Sequence, residues 1–375
     1  HDQAPTAGSV ILASAMLKLG TYGNYRFALP MAPAGGADLM SFVAVLAIIA
    51  IIYASLICWV QTDAKKLIAY SSVAHLGLCM LGLFALNPVG AEGAVFYMVN
   101  HGLSTGALAM NGCESFRSGF EPHPKDFRAL PFNDLISLER ELARGDVAGF
   151  VVEPIQGKGV NVHSYGFLAE ASALCHRYGA LFVVDEVQTG VGRTGSFLAI
   201  DQEGAVEPDI VVLSKGLSGG YVPVGAVMTK TAVWDKVFSR LDRAIVHSST
   251  FHMSGLAMVA GLATLSVLED ERLAENATQM GALLRNGLEA MKPRFEFIGA
   301  IRQRGLMIGI EFAKPSSLTL RMAWRMIHAL DDNLFTQAVT IPLMQDHRIL
   351  SQVAGHAIPV LKLTPPLTIS SDDVT

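Results

Sequence analysis

The sequence predicts an α/β fold, a mostly parallel sheet with helices, preceded by an all-α membrane segment of up to four helices. Three observations support this prediction. The first 110 of the 375 residues carry only eight charged side chains, four of each sign. Residues 39–60 carry no charge at all. After residue 110, short apolar runs that end in polar residues alternate with a segment of helical spacing.

The apolar third contains one strong membrane span and three weaker ones. Residues 39–60 are apolar over the length of about 20 residues that crosses the hydrocarbon core of a bilayer as a helix. The weaker spans are predicted at about residues 7–28, 67–86 and 91–110. Small residues spaced along these segments would let the helices approach closely.

Three ionisable side chains in this third are candidates for a proton path. Lys18 falls in the middle of a span, where an amine is costly unless it faces a bundle interior or snorkels to the interface. Lys65 stands at the start of a span, so a relay and an interfacial position are both open. His75 could titrate near neutral pH or make a structural hydrogen bond.

Three apolar runs predict the sheet, at residues 147–157, 180–190 and 208–216. A segment of helical spacing separates the first two, which gives the order strand, helix, strand. Asp185 and Lys215 each end such a strand, so both should project into the crevice at the carboxyl ends. This pair suits a cofactor held as an imine, with the aspartate keeping a pyridine nitrogen protonated. A structural ion pair at the sheet edge is the alternative.

Several other functions are not expected. No Lys/Arg stripe with interleaved aromatics points to a nucleic acid partner. The cysteines lie far apart without CxxC or Cys/His spacing, so they are expected to be reduced thiols and no metal site is predicted. The motif GVGRTG at 190–195 follows a strand that already ends in Asp-Glu, and does not plainly open a helix, so it does not indicate a dinucleotide site.

The first 108 residues resemble the antiporter-like subunit M of bacterial respiratory NADH:quinone oxidoreductase. The resemblance rests on HDQAPTAGSVILASAMLKLGTYG, QTDAKKLIAYSSVAHLG and MVNHGLSTGAL. It implies a bacterial inner-membrane location for residues 1–108. It also implies that Lys18 and Lys65 are membrane lysines of a proton path, with His75 among its histidines.

Residues 111–375 resemble the class III pyridoxal-phosphate aminotransferases, in particular the ornithine, acetylornithine and putrescine group. The motifs are VEPIQGKGV, LFVVDEVQTGVGRTGSF, PDIVVLSKGLSGGYVPVGAVM, HSSTF, RGLMIGIEF and KLTPPLTI. The resemblance implies an incomplete PLP fold type I, with a partial large domain at 109–290 and a small α+β C-terminal domain at 291–375. It implies a cytoplasmic enzyme that uses pyridoxal 5'-phosphate, an amino donor and a 2-oxo acid.

The same resemblance assigns roles to individual residues. Lys215 would be the Schiff-base lysine and proton shuttle, and Asp185 the partner of the pyridinium nitrogen. Gln188 would donate a hydrogen bond to the ring oxygen of the cofactor. Thr250 would reach the cofactor phosphate of a neighbouring subunit, which implies a homodimer.

Two further residues would bind the substrate. Glu153 resembles the family's glutamate that guards an arginine for the substrate carboxylate. Lys362 stands where that arginine is expected, and it offers a point charge in place of a planar two-pronged donor. Binding of 2-oxoglutarate through this contact is therefore expected to be weakened.

The two resemblances share the letters HGLSTGAL at residues 101–108. Asn100 stands where the aminotransferases have an aromatic ring that stacks on the cofactor. The family's segments before this motif, including its phosphate-binding turn, are not in the sequence. We therefore expect a chimera in which a transaminase is truncated and impaired and binds its cofactor weakly or not at all. The alternatives are a proton-translocating membrane subunit fragment and a chimera without either activity.

Overall fold

A computed structural model describes residues 21, 23–60, 64–87, 90–91, 126–204, 206–240, 243, 254–330, 334–355 and 358–374. Tertiary contacts divide the chain into two compact units. The helical unit comprises His1–Leu130 and Ser248–His252, and the sheet unit comprises Pro131–His247 and Met253–Thr375.

Two long helices dominate the described part of the helical unit. Short helical turns at Asn24–Ala28 and Leu29–Met31 precede α1 (Pro33–Val60), and α2 (Ala64–Leu83) packs along α1. A Cβ atom at Gly77 would lie 2.9 Å from the Ala47 carbonyl oxygen. Glycine at this position therefore permits the close approach of the two helices.

The predicted span at 39–60 lies within α1. Among the described residues, one helix, Pro33–Cys58, is long and apolar enough to cross a membrane, by length and composition alone. Most of its apolar side chains are exposed, including Leu39, Phe42, Leu46, Ile49, Tyr53 and Leu56. The predicted span at 67–86 overlaps α2, and the spans at 7–28 and 91–110 fall largely outside the described residues.

The sheet unit contains two larger sheets, a short hairpin and flanking helices. Its strands are β1 (Gly149–Val152), β2 (Ile155–Gln156), β3 (Asn161–Val162), β4 (Leu181–Asp185), β5 (Ile210–Leu213), β6 (Ala226–Thr229), β7 (Ile298–Arg304), β8 (Met307–Phe312), β9 (Gln352–Val353) and β10 (Val360–Leu363). Its helices are α3 (Leu135–Leu142), α4 (Phe167–Arg177), α5 (Thr231–Val237), α6 (Gly255–Asp270), α7 (Leu273–Met291), α8 (Leu318–Leu330), α9 (Leu334–His347) and α10 (Ser371–Val374).

The first sheet confirms the predicted α/β arrangement. Its strand order is β1-β4-β5-β6, with β1, β4 and β5 parallel and β6 antiparallel. Helix α4 connects β1 to β4, so the strand, helix and strand follow in the predicted order. The run at 147–157 is not one strand, because Pro154 has no N–H to donate and the chain leaves the sheet after β1. It continues into the β2–β3 hairpin.

The second sheet is antiparallel, in the order β7-β8-β10-β9. Its core contains Ile301, Ile308, Ile310, Phe312 and Leu361. In the first sheet, Phe182 and Val184 of β4 are fully buried. The domain boundaries predicted at 109–290 and 291–375 stay predictions.

Candidate active site

Two charged side chains lie at the carboxyl ends of adjacent parallel strands. Asp185 is the last residue of β4, and it pairs in register with Val212 of β5. Lys215 follows β5 and begins a 3₁₀ turn, Lys215–Ser218. The parallel pairing therefore brings the aspartate and the lysine to one edge of the sheet, as the sequence predicts.

The Lys215 amine is exposed and is held by a neutral partner. Its Nζ donates a hydrogen bond to Gln188 Oε1 at 3.2 Å. The backbone of Lys215 is left-handed, with φ at +43°. Such strain in a non-glycine residue is found at functional sites. Asp185 and Lys215 do not pair with each other, and Asp185 Oδ1 instead accepts from the Val187 N–H at 3.0 Å. The arrangement is not the ion pair that the alternative interpretation requires.

The backbone of Gly157 contacts both residues predicted to bind substrate, Glu153 and Lys362. Glu153 Oε1 accepts a hydrogen bond from the Gly157 N–H at 3.1 Å, and Lys362 Nζ donates to the Gly157 carbonyl at 3.3 Å. Lys362 lies on β10, so the second sheet supplies one side of this site. A Cβ atom on Gly157 would collide with Gln188 Oε1 and lie 3.1 Å from Glu153 Oε1. The absence of a side chain here leaves room for those two groups.

The charges of the site act on one another. Burial raises the pKa of Glu153, and the negative charge of Asp185 raises it further, although the Gly157 N–H and Lys215 lower it. Burial lowers the pKa of Lys362, and the positive charge of Lys215 adds to this effect, while Glu153 opposes it. Two carboxylates and two amines thus lie within electrostatic reach at one edge of the unit.

The GVGRTG segment has a structural role. No helix begins within residues 190–195, all of which the structure describes. Arg193 donates hydrogen bonds to the carbonyls of Leu306 and Pro365, and burial lowers its pKa to about 10. Arg193 therefore ties the loop after β4 to the β7–β8 turn and to the segment after β10.

Four predicted site residues cannot be assigned contacts. Lys18 and Thr250 lie outside the described residues. Lys65 and His75 lie on α2, but their side chains are outside the described part. The proton path and the phosphate contact of Thr250 stay predictions.

Sequence reasoning missed two residues next to the site. Gly157 stands within the GKG letters of VEPIQGKGV, where a glycine between polar residues could have indicated close backbone contact. His163 is buried, and its Nε2 lies 3.0 Å from the Glu153 carbonyl oxygen. No sequence signal pointed to this histidine.

Comparison with known families gives two matches that overlap. Residues 93–375 match the family model described as aminotransferase class-III. Residues 1–117 match the NADH:quinone oxidoreductase/Mrp antiporter transmembrane model. The overlap at 93–117 includes the stretch 101–108 that both resemblances share.

Curated relatives match the aminotransferase part. Aminotransferase PigE of Serratia sp. is 32% identical over 316 residues, which cover 76% of this chain and 37% of that protein. Rat mitochondrial ornithine aminotransferase is 39% identical over 257 residues, 68% of this chain and 52% of that protein. Acetylornithine aminotransferase of Xanthomonas campestris is 41% identical over 214 residues, 57% and 51% of the two chains. The chain thus spans between 37% and 52% of these relatives' lengths.

Solved structures match the same part. The ornithine aminotransferase of Toxoplasma gondii ME49 has a TM-score of 0.62 and 34% identity, covering 72% of this chain and 58% of that chain. The acetylornithine aminotransferase of Elizabethkingia anophelis has a TM-score of 0.52 and 35% identity, covering 66% and 57%.

Proposed function

This chain belongs to the class III aminotransferases, and from that membership we propose that its sheet unit carries the catalytic lysine of a transaminase. The reaction moves an amino group from a terminal-amine or amino-acid donor to a 2-oxo acid, with pyridoxal 5'-phosphate as cofactor. The observation that carries the proposal is the exposed Lys215 amine, which lies at the same sheet edge as Asp185 and is bound to a neutral amide.

The described residues at the carboxyl ends of β4 and β5 fit the aldehyde and the ring nitrogen of this cofactor. When bound, pyridoxal 5'-phosphate supplies an aldehyde that joins to amines and a ring that withdraws electrons. Lys215 would hold the cofactor through Nζ and would move a proton at that atom. The Asp185 carboxylate would keep a proton on the pyridine nitrogen. Gln188 orients the amine, and the missing side chain of Gly157 leaves space beside the Gln188 amide.

Glu153 and Lys362 select the substrate. Both contact the peptide of Gly157, one through its N–H and the other through its carbonyl. The Lys362 amine attracts a substrate carboxylate as a point charge and lacks the two parallel donors of an arginine. A 2-oxo acid with a second carboxylate is therefore bound weakly through this residue.

The test is a transamination assay on the purified full chain with added pyridoxal 5'-phosphate. Ornithine, N-acetylornithine and putrescine serve as donors, with pyruvate or 2-oxoglutarate as acceptor. We expect amino acid product from at least one pair, lost in Lys215→Ala and retained in Lys236→Ala, since Lys236 is an exposed lysine on α5. Turnover that Lys215→Ala leaves unchanged would contradict the proposal.

A homodimer with composite sites belongs to the same proposal, through the expected contact of Thr250 with a neighbouring cofactor. In that case a Lys215→Ala chain and a Thr250→Val chain complement each other, since a mixed dimer holds one site with both residues intact. We expect mixing to restore activity that neither variant has alone. Activity that does not rise on mixing would contradict composite sites.

A second candidate function concerns residues 1–108. The exposed apolar side chains of α1 and the antiporter family match support a membrane segment in a bacterial inner membrane, with Lys18, Lys65 and His75 on a proton path. The full chain should float with liposomes, and the double variant Ile49→Arg, Ile52→Arg should not, because arginine is costly in the bilayer centre. Equal flotation of both chains would argue against the membrane segment.

A further inference from the structure

His163 is a buried ring between two aromatic neighbours. Its centroid lies 4.4 Å from that of Phe132 and 4.7 Å from that of Phe167, with both rings stacked on it. Only 8% of the residue is exposed. The imidazole therefore has a fixed position and few orientations, since the two phenyl rings confine it from either face.

Both ring nitrogens of His163 have polar partners. Nε2 lies 3.0 Å from the Glu153 carbonyl oxygen, and Nδ1 lies 2.9 Å from Asn133 Oδ1. Both partners are oxygens, and a neutral ring donates at only one nitrogen. The main-chain carbonyl of Glu153 can only accept, so Nε2 carries the proton, and Nδ1 accepts when the Asn133 side-chain amide turns its nitrogen toward it. Burial lowers the pKa of His163, which favours the neutral ring.

The Glu153 carbonyl belongs to the residue whose side chain lies in the candidate active site. Pro154 follows Glu153, so the peptide after this carbonyl has no N–H, and β1 ends one residue before it. Within the described residues, Nε2–H of His163 is thus a side-chain donor that fixes the main chain of Glu153 where it leaves the sheet.

We propose that His163 is a positioning residue that sets the place of the Glu153 carboxylate, and through it the Gly157 peptide, by the hydrogen bond from Nε2 to the Glu153 carbonyl. His163 touches neither Lys215 nor Asp185 through any hydrogen bond of the described residues. It acts through Glu153 alone. The expected effect of His163 on substrate binding rests on the proposed function. Its expected effect on the Gly157 peptide does not.

Three variants separate the hydrogen bond from the ring stack. His163→Phe keeps an aromatic ring between Phe132 and Phe167 but donates nothing. His163→Gln loses the ring but places an amide N–H near the position of Nε2. His163→Asn also loses the ring, and its shorter amide reaches the position of Nδ1 only.

The first measurement is hydrogen–deuterium exchange of the Gly157 amide, which donates to Glu153. We expect exchange about tenfold faster in His163→Phe and His163→Asn, and within about twofold of the unaltered chain in His163→Gln. The amides of α4 provide the internal reference for folding in each variant. If His163→Phe exchanges like the unaltered chain, or if all three variants exchange equally fast, the positioning role is wrong.

The second measurement is the split between KM and kcat in the transamination assay. Glu153 acts on bound substrate, so its displacement should raise KM for the substrate about fivefold while kcat stays within about twofold. His163→Gln should restore KM, a result that simple loss of packing would not give. Absence of turnover in the unaltered chain would contradict the proposed function, whereas the exchange measurement would still decide the role of His163.

Discussion

Lys215 donates a hydrogen bond to Gln188 across 3.2 Å, so the amine that follows β5 is held by a neutral oxygen. A carboxylate in place of this amide would form an ion pair and favour the charged, unreactive amine. We therefore predict that Gln188→Glu lowers the rate of labelling of Lys215 by an amine-reactive aldehyde about tenfold. Peptide mass mapping measures the rate, and Gln188→Ala is the control. A Gln188→Glu chain that labels as fast as Gln188→Ala would contradict the prediction.

Gly157→Ala tests the space between Glu153 and Gln188. The added Cβ collides with Gln188 Oε1, so the amide must move and Lys215 loses its partner. We expect the free energy of unfolding to fall by about 1–3 kcal/mol, as for overpacked positions. Urea unfolding measures the change. Gly287→Ala on α7 is the matched control, since nothing lies within 4 Å of its Cβ position, and it should stabilise by roughly 0.5–1 kcal/mol. Equal effects of the two substitutions would argue against the crowding.

Lys362→Arg tests substrate selection. A guanidinium offers two parallel donors to a carboxylate, so KM for 2-oxoglutarate should fall about tenfold. KM for pyruvate should change less, because it has no second carboxylate to gain the contact. The ratio of the two KM values is the measurement, with Lys362→Met as the variant that lacks the charge. A ratio that is the same in all three chains would exclude Lys362 from binding the second carboxylate.

Asp209 should make stability depend on pH. Its carboxylate accepts hydrogen bonds from the Phe182 N–H at 2.8 Å and from His176 and Lys230 at 3.0 Å. Burial opposes ionisation, but these contacts outweigh it and lower the pKa of Asp209. Because the pKa of Asp209 is lower in the folded state, the folded state binds fewer protons than the unfolded state between the two pKa values. The stabilisation is therefore present above the ordinary pKa of an aspartate and is lost as the pH falls through the folded pKa.

Asp209→Asn should accordingly cost about 1–3 kcal/mol of unfolding free energy at neutral pH, and the deficit should shrink in acid. Urea unfolding over a pH series measures it. Asp235→Asn, at an exposed position of α5, is the control and should stay within about 0.5 kcal/mol. A deficit for Asp209→Asn that does not shrink in acid would show that the lost stability is not electrostatic.

The sequence predicted the sheet well where local signals were strong. Apolar runs ending in Asp185 and Lys215 marked β4 and β5. The helical segment before β4 indicated its parallel pairing with β1, whereas the described chain between β4 and β5 has only the short 3₁₀ turn Ala199–Glu203. The break of the first run at Pro154 was not predicted, because apolar content alone does not report the missing N–H of proline.

The candidate site was predicted only in part. Asp185 and Gln188 lie in one predicted motif, and Lys215 lies in the next motif along the chain. The meeting of Gly157 with Lys362 joins segments 205 residues apart, and that contact depends on how the second sheet packs. Asn100 and Thr250 fall outside the described residues, so weak cofactor binding stays a prediction.

The most direct test of Lys215 as the cofactor-binding lysine is borohydride reduction of the full chain saturated with pyridoxal 5'-phosphate, followed by mass mapping of the modified lysines. We predict one dominant pyridoxyl group on Lys215, absent in Lys215→Ala, with little label on the exposed Lys236. Label spread evenly over exposed lysines, and unchanged by Lys215→Ala, would contradict the assignment of Lys215 as the cofactor-binding lysine.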